Sequence, residues 1–267
     1  MTDNLSILYR PGFESRADFL SVSLGLRSYA DADSSLLLGM ALVVDTEGLA
    51  LQQLGPKAPG PVRCDFTSGA SRHRRLYGGG KGQDIAKAVG LAQKGFKPRV
   101  LDLTAGLGRD GFVLASLGAE VTLVERHPVV FALLSDGLNR ARDTANRDAD
   151  AELLGILDRM HAEQSESASY LQNLSADQSP DVIYLDPMFP PREKSGKVKK
   201  EMQLFHQLVG MEAEDSDRLL SLSLHQANYR VVVKRPTHAP SLKGPEPGYS
   251  LKGKSTRFDI YPLKKLP

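Results

Sequence analysis

The pattern of apolar and polar positions changes character near residue 60 and again near residue 99. Before the first change, Ala17–Ser28 has helical spacing, and the apolar runs Leu36–Val44 and Leu49–Leu54 flank Asp45-Thr46-Glu47-Gly48, a turn composition. Gly55-Pro56-Lys57-Ala58-Pro59-Gly60-Pro61 breaks either periodicity, so residues 1–60 are expected to form a small α+β unit and residues 61–267 a larger domain. A strand Val62–Phe66 opens that domain. It is followed by the basic, glycine-rich stretch SRHRRLYGGGKGQD, and then Ile85, Ala88, Val89 and Ala92 recur at helical spacing. From Arg99 the chain alternates. Val100–Leu103, Glu120–Val124, Ile156–Met160, Asp181–Leu185 and Arg230–Val233 read as strands. Helices are expected at Phe112–Leu117, stopped by Gly118, and from Pro128 with Val129, Val130, Leu133, Leu134 and Leu138 on one face. Further helical stretches are Ser167–Leu174, Lys200–Val209 and Asp217–Gln226. Such alternation predicts an α/β fold with a mainly parallel, doubly wound sheet. Tyr249–Leu251 and Phe258–Tyr261 flank a turn, which predicts a closing antiparallel pair. No internal repeat is present.

Composition narrows the class. With 41% hydrophobic and 25% charged residues in 267, the chain has material for a core and is not of disordered type. No apolar run reaches roughly 18 residues, and the opening stretch lacks a basic start followed by an apolar block, so neither a membrane span nor a signal peptide is expected. Cys64 is alone, which excludes an internal disulfide and suits a core position. The histidines at 161, 206, 225 and 238 lack metalloprotease spacing, so no metal is expected, and no serine lies in a nucleophile-elbow context. His127, just before the helix-starting Pro128, reads as a strand-end residue. These features describe a cytoplasmic protein. The net charge of +2 conceals segregation: residues 1–60 carry −3, 61–100 +7, 101–191 −9, 192–229 zero and 230–267 +7. Two basic segments around an acidic middle point to a polyanion on one face and another ligand elsewhere.

Candidate chemistry gathers at two strand ends. Asp102-Leu-Thr-Ala-Gly106-Leu-Gly108-Arg-Asp-Gly111 leaves a strand and opens a helix. Gly106 and Gly108 allow a tight turn with ligand approach to the backbone, and Gly111 allows close helix–sheet packing. With Glu125 at the second strand end as a ribose acceptor, this layout serves a nicotinamide dinucleotide or S-adenosylmethionine (SAM) equally well. The second strand end separates them. Asp186-Pro187-Met188-Phe189-Pro190 has no use in a dehydrogenase, but it suits methylation of an exocyclic base amine, a poor nucleophile because its lone pair is delocalised. The Asp186 carboxylate and Pro187 carbonyl would accept its N–H bonds, and Phe189 would stack on the base. Arg192, Lys194, Lys197, Lys199 and Lys200 follow directly, and Arg72, Arg74, Arg75 and Lys81 lie in the earlier basic stretch. Both groups are candidate RNA phosphate contacts. Lys234 and Arg235 end the fifth strand on the same edge, as RNA contacts or as a strand stop.

HRRLYGGGKGQDIAKAVG, DLTAGLGRDGFVLASLGAEVTLVERHPVVFALL, YLDPMFPPREKSGKVKKEM, VVVKRP and RFDIY occur in that order, and together they resemble the ribosomal RNA small subunit methyltransferase J family. The resemblance spans about residues 60–262. It implies a Rossmann-like class I SAM-dependent methyltransferase fold. The implied activity is methyl transfer to the 2-amino group of a guanosine in 16S ribosomal RNA, with the RNA or the assembling small subunit as partner. The implied SAM contacts are Arg109, Asp110, Glu125, Arg126 and Asp186, with a further pair after the third strand. There the segment His161–Ser167 is longer and more acidic than in the family, which leaves the adenine-side contact open between Glu163-Gln164 and a serine further on; Glu163 is favoured, because an acid there can accept from the adenine amine. Three other readings stay open on the sequence: methylation of a different exocyclic amine, a nicotinamide-dependent oxidoreductase, and a non-catalytic RNA-binding protein.

Overall fold

The computed structural model describes residues 5–31, 39–56, 58, 60–68, 80–188, 208 and 213–267. The first sheet is built from β1 (Leu5–Tyr9), β2 (Ser28–Ala30), β3 (Met40–Asp45), β4 (Gly48–Gln53) and β5 (Val62–Arg63), in the order β2-β1-β3-β4-β5. The hairpin between β3 and β4 turns at the expected residues, with Asp45 opposite Gly48. Helix α1 (Glu14–Leu24) departs from the expected Ala17–Ser28. Gly25, at φ 66°, gives its N–H to Ser21 O and stops the helix, so Ser28–Ala30 is freed to pair with β1 as an edge strand. The strand expected over Val62–Phe66 is confined to two residues.

The second sheet contains β6 (Arg99–Asp102), β7 (Glu120–Glu125), β8 (Met160–Gln164), β9 (Val182–Leu185), β10 (Arg230–Pro236), β11 (Tyr249–Lys252) and β12 (Thr256–Pro262). Its order is β11-β12-β10-β9-β6-β7-β8; β6 to β10 are parallel, and the last two strands close it antiparallel as expected. The helices are α2 (Asp84–Val89), α3 (Arg109–Ser116), α4 (Pro128–Arg147), α5 (Ala151–Leu157), α6 (Ser167–Asn173) and α7 (Ala213–Gln226). One expectation fails outright: Ile156 and Leu157 are helical and the third strand starts at Met160. Asp150 caps α5 by accepting from Leu153 N at 2.9 Å, and Leu153, Ile156 and Leu157 are buried at helical spacing. The helix expected at Lys200–Val209 lies almost wholly outside the described residues.

Period-two alternation sorts the strand residues to the two faces of this sheet. Val100, Val182, Tyr184 and Val232 join one core cluster, whereas Leu101, Ile183, Leu185, Val231 and Val233 join the other. The first cluster continues through Phe112, Leu133 and Leu134 of the helices into Ile7, Leu42, Val44, Leu49 and Leu51 of the first sheet, so both sheets share one core. Asp136 of α4 fastens this junction: it accepts from Leu49 N (3.0 Å), from Arg140 Nε (2.7 Å) and from Arg16. After β6 the chain builds outward to β7 and β8 and then returns to the other side of β6 as β9. That reversal makes the crevice beyond the carboxyl ends of β6 and β9 the place where ligands bind in such sheets.

Candidate active site

At that crevice β6 ends in Asp102, whose Oδ1 accepts from Thr104 N (3.0 Å) and Thr104 Oγ1 (3.3 Å), turning the chain into the glycine segment. Three glycines then serve different needs. Gly108, at φ 68°, precedes the first residue of α3, and a side chain there would press on Leu134 at 2.8 Å. Gly111 lies so close to β7 that a methyl group would collide with Leu123. Gly106, at φ 55°, faces open space, with nothing nearer to an added methyl than Thr104 O at 4.0 Å. A ligand can therefore approach the backbone at Gly106. Glu125, the last residue of β7, fixes this turn: Oε2 accepts from Gly106 N at 2.9 Å and Oε1 from His127 N at 2.8 Å. Each oxygen keeps a lone pair for a further donor such as a ribose hydroxyl.

The other wall is a chain of polar contacts across four elements. Tyr184 OH donates to Asp110 Oδ2 at 2.7 Å, and Lys234 Nζ donates to the same oxygen at 2.7 Å and to Asp186 Oδ2 at 2.9 Å. Asp186 N in turn donates to Thr104 Oγ1 at 2.6 Å, joining this wall to Asp102. Burial, reinforced by repulsion from Asp110 and Asp186, pushes the Asp102 carboxyl up to about 8. Burial also raises Asp186, an effect that Lys234 opposes. The Lys234 ammonium loses water through burial, yet Asp186 and Asp110 hold it above the ordinary lysine range. Burial likewise raises Glu125 and lowers His127.

The donor set fits SAM. Two carboxylates, Asp110 and Asp186, share the Lys234 ammonium, which leaves room for added positive charge; Glu125 offers an acceptor to a ribose; and the open face of Gly106 admits an amino-acid moiety. Among the described residues no group of three or more His, Cys, Asp or Glu is placed to hold a metal ion, and no helix is long and apolar enough to cross a membrane.

Comparison with known proteins agrees with this geometry. The family model for SAM-dependent methyltransferases matches residues 29–263. The chain is 60% identical over 226 residues to the ribosomal RNA small subunit methyltransferase J of Cellvibrio japonicus, covering 85% of this chain and 84% of that protein. It is 54% identical to the same enzyme of Pseudomonas fluorescens strain Pf-5, covering 96% and 93%. This chain belongs to the ribosomal RNA small subunit methyltransferase J family. Among solved structures, a SAM-dependent methyltransferase from Neisseria gonorrhoeae superposes with a TM-score of 0.71 at 37% identity, over 96% of both chains.

The structure brings most of the expected methyltransferase J cofactor residues to one crevice. Asp102, Gly106, Gly108, Asp110, Glu125 and Asp186 line or brace it through the contacts above, and Arg109 and Arg126 are exposed, at the start of α3 and just after β7. Glu163 and Gln164 are exposed at the end of β8, where Gln164 is the register partner of Glu125. Pro187 is half-buried beside Asp186, and Lys81 is exposed in a short 3-10 turn. Phe189, Arg72, Arg74, Arg75, Arg192, Lys194, Lys197, Lys199 and Lys200 lie outside the described residues.

Two expected RNA contacts are placed differently. Arg235 is 5% exposed, and its Nε and Nη2 both donate to Pro240 O, which makes it a brace for the following turn. Lys234 points into the crevice, where its ammonium is committed to carboxylates rather than phosphates. Sequence reasoning missed Thr104 and Tyr184. The signal for Tyr184 was a hydroxyl-bearing residue two positions before Asp186, on the face of β9 opposite Leu185.

Proposed function

We propose that this chain transfers a methyl group from SAM to the exocyclic 2-amino group of a guanosine in small-subunit ribosomal RNA. Support comes from the position of Asp186-Pro187 at the end of β9, across the switch point from the Gly106 turn and Glu125. When bound, SAM supplies an electrophilic methyl carbon on positively charged sulfur. The work of the protein is then placement, because a delocalised amine attacks only when its lone pair is turned out of the ring. Asp186 and the Pro187 carbonyl accept the two amine N–H bonds, and the same carboxylate is placed to take the proton that the nitrogen sheds. Phe189 stacks on the base. Asp102, Asp110 and Glu125 hold the cofactor's cationic and ribose ends, with Glu163 and Gln164 toward its adenine. Lys81, Arg72, Arg74, Arg75 and the 192–200 cations meet phosphates. The two units, residues 1–60 and 61–267, act as one enzyme on RNA or on an assembling subunit.

Labelled-methyl transfer to small subunits and to naked RNA, followed by nucleoside analysis, tests this reading, with label expected as 2-methylguanosine. Label on another base would move the acceptor. Asp186→Ala should lower turnover by about a hundredfold or more with a smaller loss of SAM affinity, and unchanged turnover would remove the role.

A further inference from the structure

Asp186 enters its crevice with one oxygen already engaged. Its Oδ2 is bound by Lys234 and its N–H by Thr104, and no hydrogen bond to Oδ1 forms among the described residues. Lys234 is held as firmly from the other side, through Asp110 Oδ2, which also accepts from Tyr184 OH. The Lys234 side chain is 26% exposed, so it makes two carboxylate contacts from a partly desolvated position that favours strong pairing. A lysine meant for RNA would reach outward, and this one is turned inward between the two acids.

We propose that Lys234 is a positioning residue for methyl transfer: it clamps Asp186 by Oδ2 and ties it to Asp110, so that Oδ1 is presented to the acceptor amine. The proposal rests on the amine-methylation reading above. Several groups face Asp186. They are Lys234 and Arg235 from β10, Asp110 from α3, Asp102 from β6 and Tyr184 from β9. Burial and the neighbouring acids push the Asp186 carboxyl up, and Lys234 is the largest influence keeping it ionised. Without that ammonium the carboxyl holds its proton to higher pH and donates where it should accept. Arg235 does not replace it, because its guanidinium is engaged at Pro240.

The test compares Lys234→Met, Lys234→Arg and the unaltered chain, with near-ultraviolet circular dichroism to establish that each is folded. In Lys234→Met, kcat at neutral pH should fall at least about tenfold, KM for SAM should change little, and the acid limb of the kcat profile should move up by about one pH unit or more. Lys234→Arg should return the limb toward its original position. Carbon-13 titration of the aspartate carboxyls in cofactor-free protein should show the same rise for Asp186 in Lys234→Met, and S-adenosylhomocysteine affinity by calorimetry should stay within about threefold. A kcat loss that is uniform across pH, or an Asp186 titration unmoved by Lys234→Met, would overturn the proposal. If the unaltered chain methylates no guanine amine, the proposed function falls, and the carboxyl titration still decides whether Lys234 governs Asp186.

Discussion

Asp102 is one residue whose protonation differs between the folded chain and the unfolded one. Its carboxyl ordinarily titrates at 3.8, and in the fold it is pushed up to about 8. Between those values the folded chain keeps a proton that the unfolded chain has released. The resulting stabilisation is complete below the lower value and is lost as pH rises through the upper one. The urea midpoint of the cofactor-free chain should therefore fall from about pH 4 to about pH 8 and level off above that, and Asp102→Asn should flatten that fall. Equal slopes for both would assign the effect elsewhere. A neighbouring glycine offers a steric counterpart. Gly111→Ala drives a methyl group against Leu123 of β7 and should cost about 1–3 kcal/mol, read as a lower urea midpoint at unchanged m-value.

Among the elements, α4 carries the junction between the sheets, and the acid that secures it is only 3% exposed at its side chain. Asp136→Ala would strand Leu49 N–H and uncouple two guanidiniums, at a cost of about 3 kcal/mol in chemical denaturation. Arg16→Ala, at a 40% exposed side chain, should cost about 1 kcal/mol or less. Nothing local in the sequence announces this clasp, since Asp136 and Leu49 are 87 positions apart. The parallel strands were legible because both their faces are buried, which writes them as short unbroken apolar runs such as Val182–Leu185. The same property misled at Ile156–Leu157, where an apolar pair belongs to a capped helix and the true strand, Met160–Gln164, is largely polar at a sheet edge. The glycine turn, Glu125 and Asp186 were readable from residue type and spacing. The inward turn of Lys234 was not, because its partner Asp110 lies 124 positions away and strand alternation alone does not say which face meets the crevice.

For the whole molecule, segregation of charge sets how it should meet a polyanion. The 61–100 and 230–267 segments each carry +7, and the 192–200 stretch adds five cations beside the proposed acceptor loop. RNA affinity should fall linearly with salt on logarithmic axes, and replacing Lys194, Lys197, Lys199 and Lys200 by alanine should reduce that slope by about 3. An unchanged slope would remove these lysines from the RNA contact. The order in which the polypeptide is made adds a different constraint. The glycine turn, Glu125 and Asp186 are all synthesised before Lys234, the cation that joins the two acids across the crevice. A nascent chain ending short of β10 holds Asp110 and Asp186 without the Lys234 ammonium that joins them, so this crevice is among the last things the growing polypeptide completes.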